Sequence, residues 1–130
     1  MSLAKHQQIS KNIKIDYNNI RELFYEKVKD RADEIFLICP GENTVEFTYI
    51  ELKSLIKNTY NIFRSLELKS KDRVSLIFHN SAEFVALYFS ALCFGLTVVP
   101  INPDIAPIEM GYIINDSKSK VIFYSSVLES

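Results

Sequence analysis

Positions Leu52, Leu55, Ile56, Thr59, Ile62, Phe63 and Leu66 recur at intervals of three and four, with charged and amide side chains between them. That period predicts a long amphipathic helix. Its start is written in Thr48-Tyr49-Ile50-Glu51, a capping box in which the threonine oxygen and the Glu51 carboxylate satisfy reciprocal backbone donors. A shorter stripe, Ile20, Leu23, Phe24 and Val28, follows Asn19 and Glu22, which have the same spacing. Between the two helices the pattern becomes that of strands. Ile35-Phe36-Leu37-Ile38 reads as one strand, Cys39-Pro40-Gly41-Glu42 as a type II turn, and Val45-Glu46-Phe47 as an alternating return. Residues 35–47 are therefore predicted to form a hairpin.

From Arg73 the order becomes regular. A strand at 74–78 precedes a helix opening at Asn80 and running to Phe94; a strand at 97–101 precedes a helix opening at Pro107; Val121-Ile122-Phe123-Tyr124 is the last strand. Strand–helix–strand–helix–strand with short connections implies right-handed crossovers and a parallel sheet covered on both faces. The run from Phe84 to Ile101 carries no charge, but Gly95 and Pro100 interrupt it and its second half is β-branched. It reads as a buried helix ending at Gly95 and a buried strand, not a membrane span. Gly111, inside a predicted helix, is expected to allow close packing. The fold class is thus α/β, a partial three-layer parallel sheet with flanking helices, preceded by a helix and a hairpin. Residues 1–17 read as a polar arm.

Composition narrows the chemistry. The 130 residues carry 15 Lys and Arg against 16 Asp and Glu, a formal net charge of −1. Without a basic excess, nucleic acid is excluded as a partner. The only glycines, Gly41, Gly95 and Gly111, stand too far apart for any glycine-rich phosphate cradle. Cys39 and Cys93 make no metal spacing and read as buried reduced thiols. The start, Met1-Ser2-Leu3-Ala4-Lys5-His6, has no apolar run of a signal peptide.

In an open parallel sheet ligands gather at the carboxyl ends of the strands. Three loops qualify: His79-Asn80-Ser81, Asn102-Pro103-Asp104 and Ser125-Ser126. His79 is the candidate acid–base group, beside its plainer reading as a polar strand end. Asn80, three residues before Glu83, reads as a helix N-cap. Asp104 and Glu109 read as a solvated helix start. Tyr49, Tyr60, Phe63, Tyr88 and Tyr112 fall at helical positions facing a core or its edge. No zinc spacing or nucleophile elbow is present, so the residues alone define a crevice but no reaction.

Two stretches resemble the first two conserved cores of the adenylate-forming ligases: acyl- and aryl-CoA synthetases, peptide-synthetase adenylation domains and luciferases. They are Phe47-Thr48-Tyr49-Ile50-Glu51-Leu52, and the run from Ala91 to Pro103 containing Gly95, Pro100 and Asn102. Lys71-Asp72-Arg73-Val74 stands where the family has Gly-Asp-Arg-Val, and Asn80-Ser81-Ala82-Glu83-Phe84 where it has an Asn-x-x-Glu-Phe helix start. Lys71 departs from the usual glycine, and Asn102 in place of Asp leans toward the CoA ligases. The resemblance covers residues 18–130 and implies that they are the incomplete first part of the large N-terminal domain, an N-terminal fragment of a larger two-domain enzyme that activates a carboxylic acid with ATP and magnesium and passes the acyl group to CoA or a carrier thiol. It also implies a cytoplasmic parent whose phosphate loop, acyl pocket and catalytic lysine follow this segment. No catalytic, cofactor or metal residue carries over; Thr48, Tyr49, Glu51, Leu52, Gly95, Pro100 and Asn102 have chiefly structural roles. The fragment alone is expected to be inactive and to self-associate through an exposed sheet edge. Two other classes stay open: a stand-alone Rossmann-like module binding a small ligand at loops 79–81 and 102–104, and a non-catalytic interaction domain.

Overall fold

Asn19 opens the first helix, α1 (Ile20–Arg31), by accepting the Glu22 N–H at 2.9 Å. The return contact is displaced by one residue, since Glu22 Oε2 receives the amide of Asn18 at 2.9 Å. The computed structural model describes residues 16–41 and 43–126. Residues 1–15 of the predicted arm, and Glu42 of the predicted turn, lie outside them. Strands β1 (Ile35–Cys39) and β2 (Val45–Thr48) form the expected antiparallel hairpin, with an irregularity in register between Ile35 and Leu37. The type II turn is not formed. Cys39 still pairs with Val45, so the connection is residues 40–44, and Gly41 does not adopt the left-handed conformation that a type II turn demands there.

Thr48 ends β2 and caps helix α2 (Tyr49–Ser65) with no residue between them. Leu52, Ile56 and Phe63 are fully buried, and each contributes about 1.5–3 kcal/mol of hydrophobic stabilisation. The stripe is narrower than its period suggested: Ile62 and Leu66 remain exposed, because the inner face turns through Thr59 and Tyr60 instead. Phe24, Phe36, Tyr49 and Phe89 join α1, β1 and α2 to the next helix through ring contacts with centroids 5.1–6.3 Å apart.

The second half is a three-stranded parallel sheet in the order β4–β3–β5, made of β3 (Arg73–Ile77), β4 (Thr97–Ile101) and β5 (Val121–Tyr124). Phe78, expected in the strand, lies just past its end. Helix α3 (Ala82–Phe94) packs on the face that holds Val74, between the sheet and α2. Helix α4 (Pro107–Ser117) returns across the opposite face, where its last residue joins a hydroxyl chain. Ser117 Oγ lies 2.9 Å from Ser119 Oγ, which receives the fully buried Ser75 hydroxyl at 2.7 Å.

The two faces are covered unequally. Helix α4 buries none of its residues, and Tyr112, expected at a core edge, is 71% exposed. Gly111 does not serve close packing either, since a Cβ there would meet nothing within 4 Å. Gly95 fulfils its reading. It caps α3 in the left-handed conformation at φ 94°, and its carbonyl accepts the Lys71 N–H at 2.7 Å. Cys93 is buried and Cys39 half-buried, both as free thiols. Among the described residues no helix is long and apolar enough to cross a membrane.

Candidate functional site

Loops leaving β3 and β4 run to opposite faces of the sheet, so their carboxyl ends part and leave a crevice. Its volume is about 380 Å³, and Phe78, His79, Asn80, Phe84, Asn102 and Asp104 are among the residues that line it. Ile77 pairs with Ile101 in the parallel register. His79, two residues beyond the first, therefore comes level with Asp104, three beyond the second. His79 Nε2 and Asp104 Oδ1 stand 3.0 Å apart across the crevice, both more than half exposed. Asn102 shapes its side of the wall by accepting the Asp104 N–H on Oδ1 at 3.0 Å, a turn that an Asn or Asp side chain can make.

The other candidates distribute around this pair. Asn80 does not cap α3; Ser81 does, accepting the Phe84 N–H at 3.1 Å. The helix starts one residue later than the Asn–Glu spacing indicated, and Asn80 is left on the crevice wall. Ser125 and Ser126 lie beside Tyr124, Ser81 and His79 in an adjoining depression. His79 thus borders both hollows, and the three loops named from sequence converge on it. Glu109 lies elsewhere, in a shallow apolar depression with Ile105, Ile108 and Tyr112. Pro100 lines the crevice from within β4. The Thr97 N–H donates to Asp72, so by alternation residues 99 and 101 also face β3. The Pro100 nitrogen then faces the open edge, where its missing donor costs no ladder bond.

Thr48, Tyr49, Glu51 and Leu52 line no part of the crevice. Every backbone donor at their helix start has a partner. Thr48 N–H and Oγ1 reach Glu51 Oε2 at 2.8 and 2.9 Å; Tyr49 and Ile50 donate to the carbonyls of Glu34 and Ala32; Glu51 N–H returns to Thr48 Oγ1. The Thr48 backbone donor in particular holds the Glu51 carboxyl below its usual range. With these donors used internally, this helix start offers no free cluster of N–H groups to an anion. Leu52 is core.

The crevice can therefore orient a small polar ligand between an imidazole and two amide side chains, with Phe78 and Phe84 as apolar flanks. Sequence reasoning missed the partnership of Asp104 with His79. The signal was the predicted adjacency of two parallel strands, which brings their outgoing loops together.

The chain matches the model of the AMP-binding enzyme family over residues 24–130. It is 35% identical over 82 residues to the long-chain-fatty-acid–CoA ligase FadD13 of Mycobacterium tuberculosis, covering 63% of this chain and 16% of that protein. It is 33% identical over 98 residues to the crotonobetaine/carnitine–CoA ligase of Salmonella arizonae, covering 75% of this chain and 19% of the relative. Among solved structures, the inhibitor-bound N-terminal domain of FACL13 from M. tuberculosis superposes with a TM-score of 0.78 at 28% identity, covering 87% of this chain and 29% of that one. The chain thus spans less than a fifth of the length of these two curated relatives. On the family match and the shared fold together, this chain belongs to the AMP-binding enzyme family.

Proposed function

We propose that this chain forms the first part of the large domain of a cytoplasmic, ATP-dependent acid–thiol ligase, of the acyl-CoA synthetase kind. In that reaction a carboxylate oxygen attacks the α-phosphorus of ATP and expels pyrophosphate; a thiol, of CoA or a carrier protein, then attacks the acyl carbon and expels AMP. The observation that carries the reading is the family match over 24–130, which spans both sequence cores and the crevice. The identities to two curated CoA ligases favour CoA as the acceptor.

The described residues do not by themselves fit ATP and magnesium. No three His, Cys, Asp or Glu side chains converge among them, and Asp104, the one carboxylate lining the crevice, is paired with His79. In this reading they supply one wall of the domain, and the 130-residue chain is inactive alone. It also self-associates, because β4 and β5 end the sheet and leave strand edges.

Carboxylate-dependent exchange of pyrophosphate into ATP tests the proposal. Exchange is expected from a polypeptide of the relatives' full length that contains this segment, and not from residues 1–130. Exchange by the 130-residue chain overturns its inactivity, and a full-length protein silent with every acyl and aryl acid overturns the ligase reading. A monomer by light scattering at high concentration overturns self-association. One observation favours a second reading, a small-ligand module: loops 79–81 and 102–104 do meet. Saturable adenosine-nucleotide binding by the 130-residue chain, lost in Asn102→Ala, would select it.

A further inference from the structure

A second concavity lies away from the crevice and shares no residue with it. Its volume is about 420 Å³, and it runs along α1, within the size range of small-molecule sites. The helix presents Ile20, Leu23, Phe24, Lys27 and Arg31 to it, a stripe at helical spacing that is apolar in its first half and cationic in its second. The opposite wall is aromatic, from Phe36, Tyr49 and Phe89. Phe36 meets Tyr49 and Phe89 edge-on, each with centroids 5.1 Å apart, so the wall is a fixed cluster.

The charges are one-sided. Lys27 and Arg31 line the groove, and no acidic side chain does. Arg31 makes only a long contact of 3.5 Å with the exposed Glu34, and half-buried Lys27 has no acidic partner among the described residues. Lys27 carries its positive charge beside these rings and Arg31 stands one turn further on, so the end of the groove that they flank favours an anionic group. An apolar groove flanked toward one end of α1 by two cations is complementary to a molecule with a hydrocarbon tail and one anionic head.

We propose that this groove binds a carboxylate with an unbranched apolar tail, the tail lying against Phe36, Tyr49 and Phe89 and the head at Lys27 and Arg31. The site is independent of the ligase reading, since it uses none of the crevice residues. Decanoate is the probe, and decanol its uncharged counterpart. Calorimetric titration of the 130-residue chain below the aggregation threshold of the ligands is expected to show saturable decanoate binding, with decanol at least about tenfold weaker. Lys27→Gln with Arg31→Gln, which keeps a polar side chain at both positions, is expected to weaken decanoate about tenfold and leave decanol unchanged. Asp104→Asn in the crevice is expected to change neither. Equal binding of the two ligands, decanoate binding insensitive to the double change, loss of binding in Asp104→Asn, or no saturable binding at all overturns the proposal.

Discussion

Asp72 Oδ2 accepts two charge-assisted hydrogen bonds, from Lys120 Nζ at 2.8 Å and from the Lys69 N–H at 2.7 Å, and so ties the approach to β3 to the approach to β5. The Lys120 contact, followed by the Lys69 amide, holds the carboxyl below the usual carboxylate range. A carboxylate with a lowered pKa in the folded state stabilises the protein above its ordinary value near 4. That contribution is lost as pH falls through the lowered value. Asp72→Asn is therefore expected to flatten the acid limb of stability measured by urea unfolding between about pH 5 and pH 2. Glu51→Gln is expected to remove the remainder of that slope in part, since Glu51 is shifted in the same direction.

Gly95, which caps α3, and Gly111, inside α4, are expected to respond oppositely to alanine. At Gly95 an added Cβ would stand 2.9 Å from Ser70 Oγ on a backbone of φ +94°. Gly95→Ala is expected to cost roughly 2 kcal/mol. Gly111 sits inside α4 with open space where a Cβ would go, so Gly111→Ala is expected to add roughly 0.5–1 kcal/mol. Thermal unfolding of both variants decides the pair, and a loss at 111 would reveal packing that the structure does not contain.

Lys71 occupies the position where the family pattern has glycine, and its φ of 72° shows the physical reason for that preference. Its backbone is held in a left-handed conformation that costs an L-residue about 1–2 kcal/mol. Lys71→Gly relieves this while loosening the unfolded chain. The net expectation is a gain of about 0.5–1 kcal/mol, read as a raised urea midpoint at unchanged m-value.

Tyr60 carries a buried hydroxyl that completes no well-formed hydrogen bond among the described residues; the nearby Tyr25 side chain approaches one without completing it. Removing such a group recovers part of its desolvation cost, so Tyr60→Phe is expected to stabilise the fold by about 1 kcal/mol. Burial also pushes the phenol above its usual range and the nearby Cys93 thiol up to about 11. Groups whose folded pKa is raised contribute stability below their unfolded value and lose it as pH rises. The expected signature is a decline of stability above about pH 9 that is shallower in Cys93→Ala than in the parent chain.

Periodicity made the elements legible, and their order made the sheet legible. Thr48 with Glu51, and Gly95 before a β-branched run, are local signals whose partners lie within a few residues, so their geometry followed from spacing alone. Ser81 in place of Asn80 shows where spacing is ambiguous: two adjacent residues can each cap a helix, and the choice belongs to backbone angles. Pro40-Gly41 does not make a tight turn because the return strand first pairs at Val45, opposite Cys39, so the two strands are joined by a longer connection than two central residues. Exposure was least legible. Ile62, Leu66 and Tyr112 have apolar side chains at helical spacing, yet whether a face is covered depends on elements far away in the chain.

The joint at Thr48 acts as a crank. With strand and helix sharing one residue, the hairpin has no slack in which to swing. Any tilt of β1 and β2 must turn the first coil of α2, and with it Tyr49 and the aromatic wall of the groove beside α1. Movements of a peripheral hairpin are thereby geared directly to the shape of that concavity.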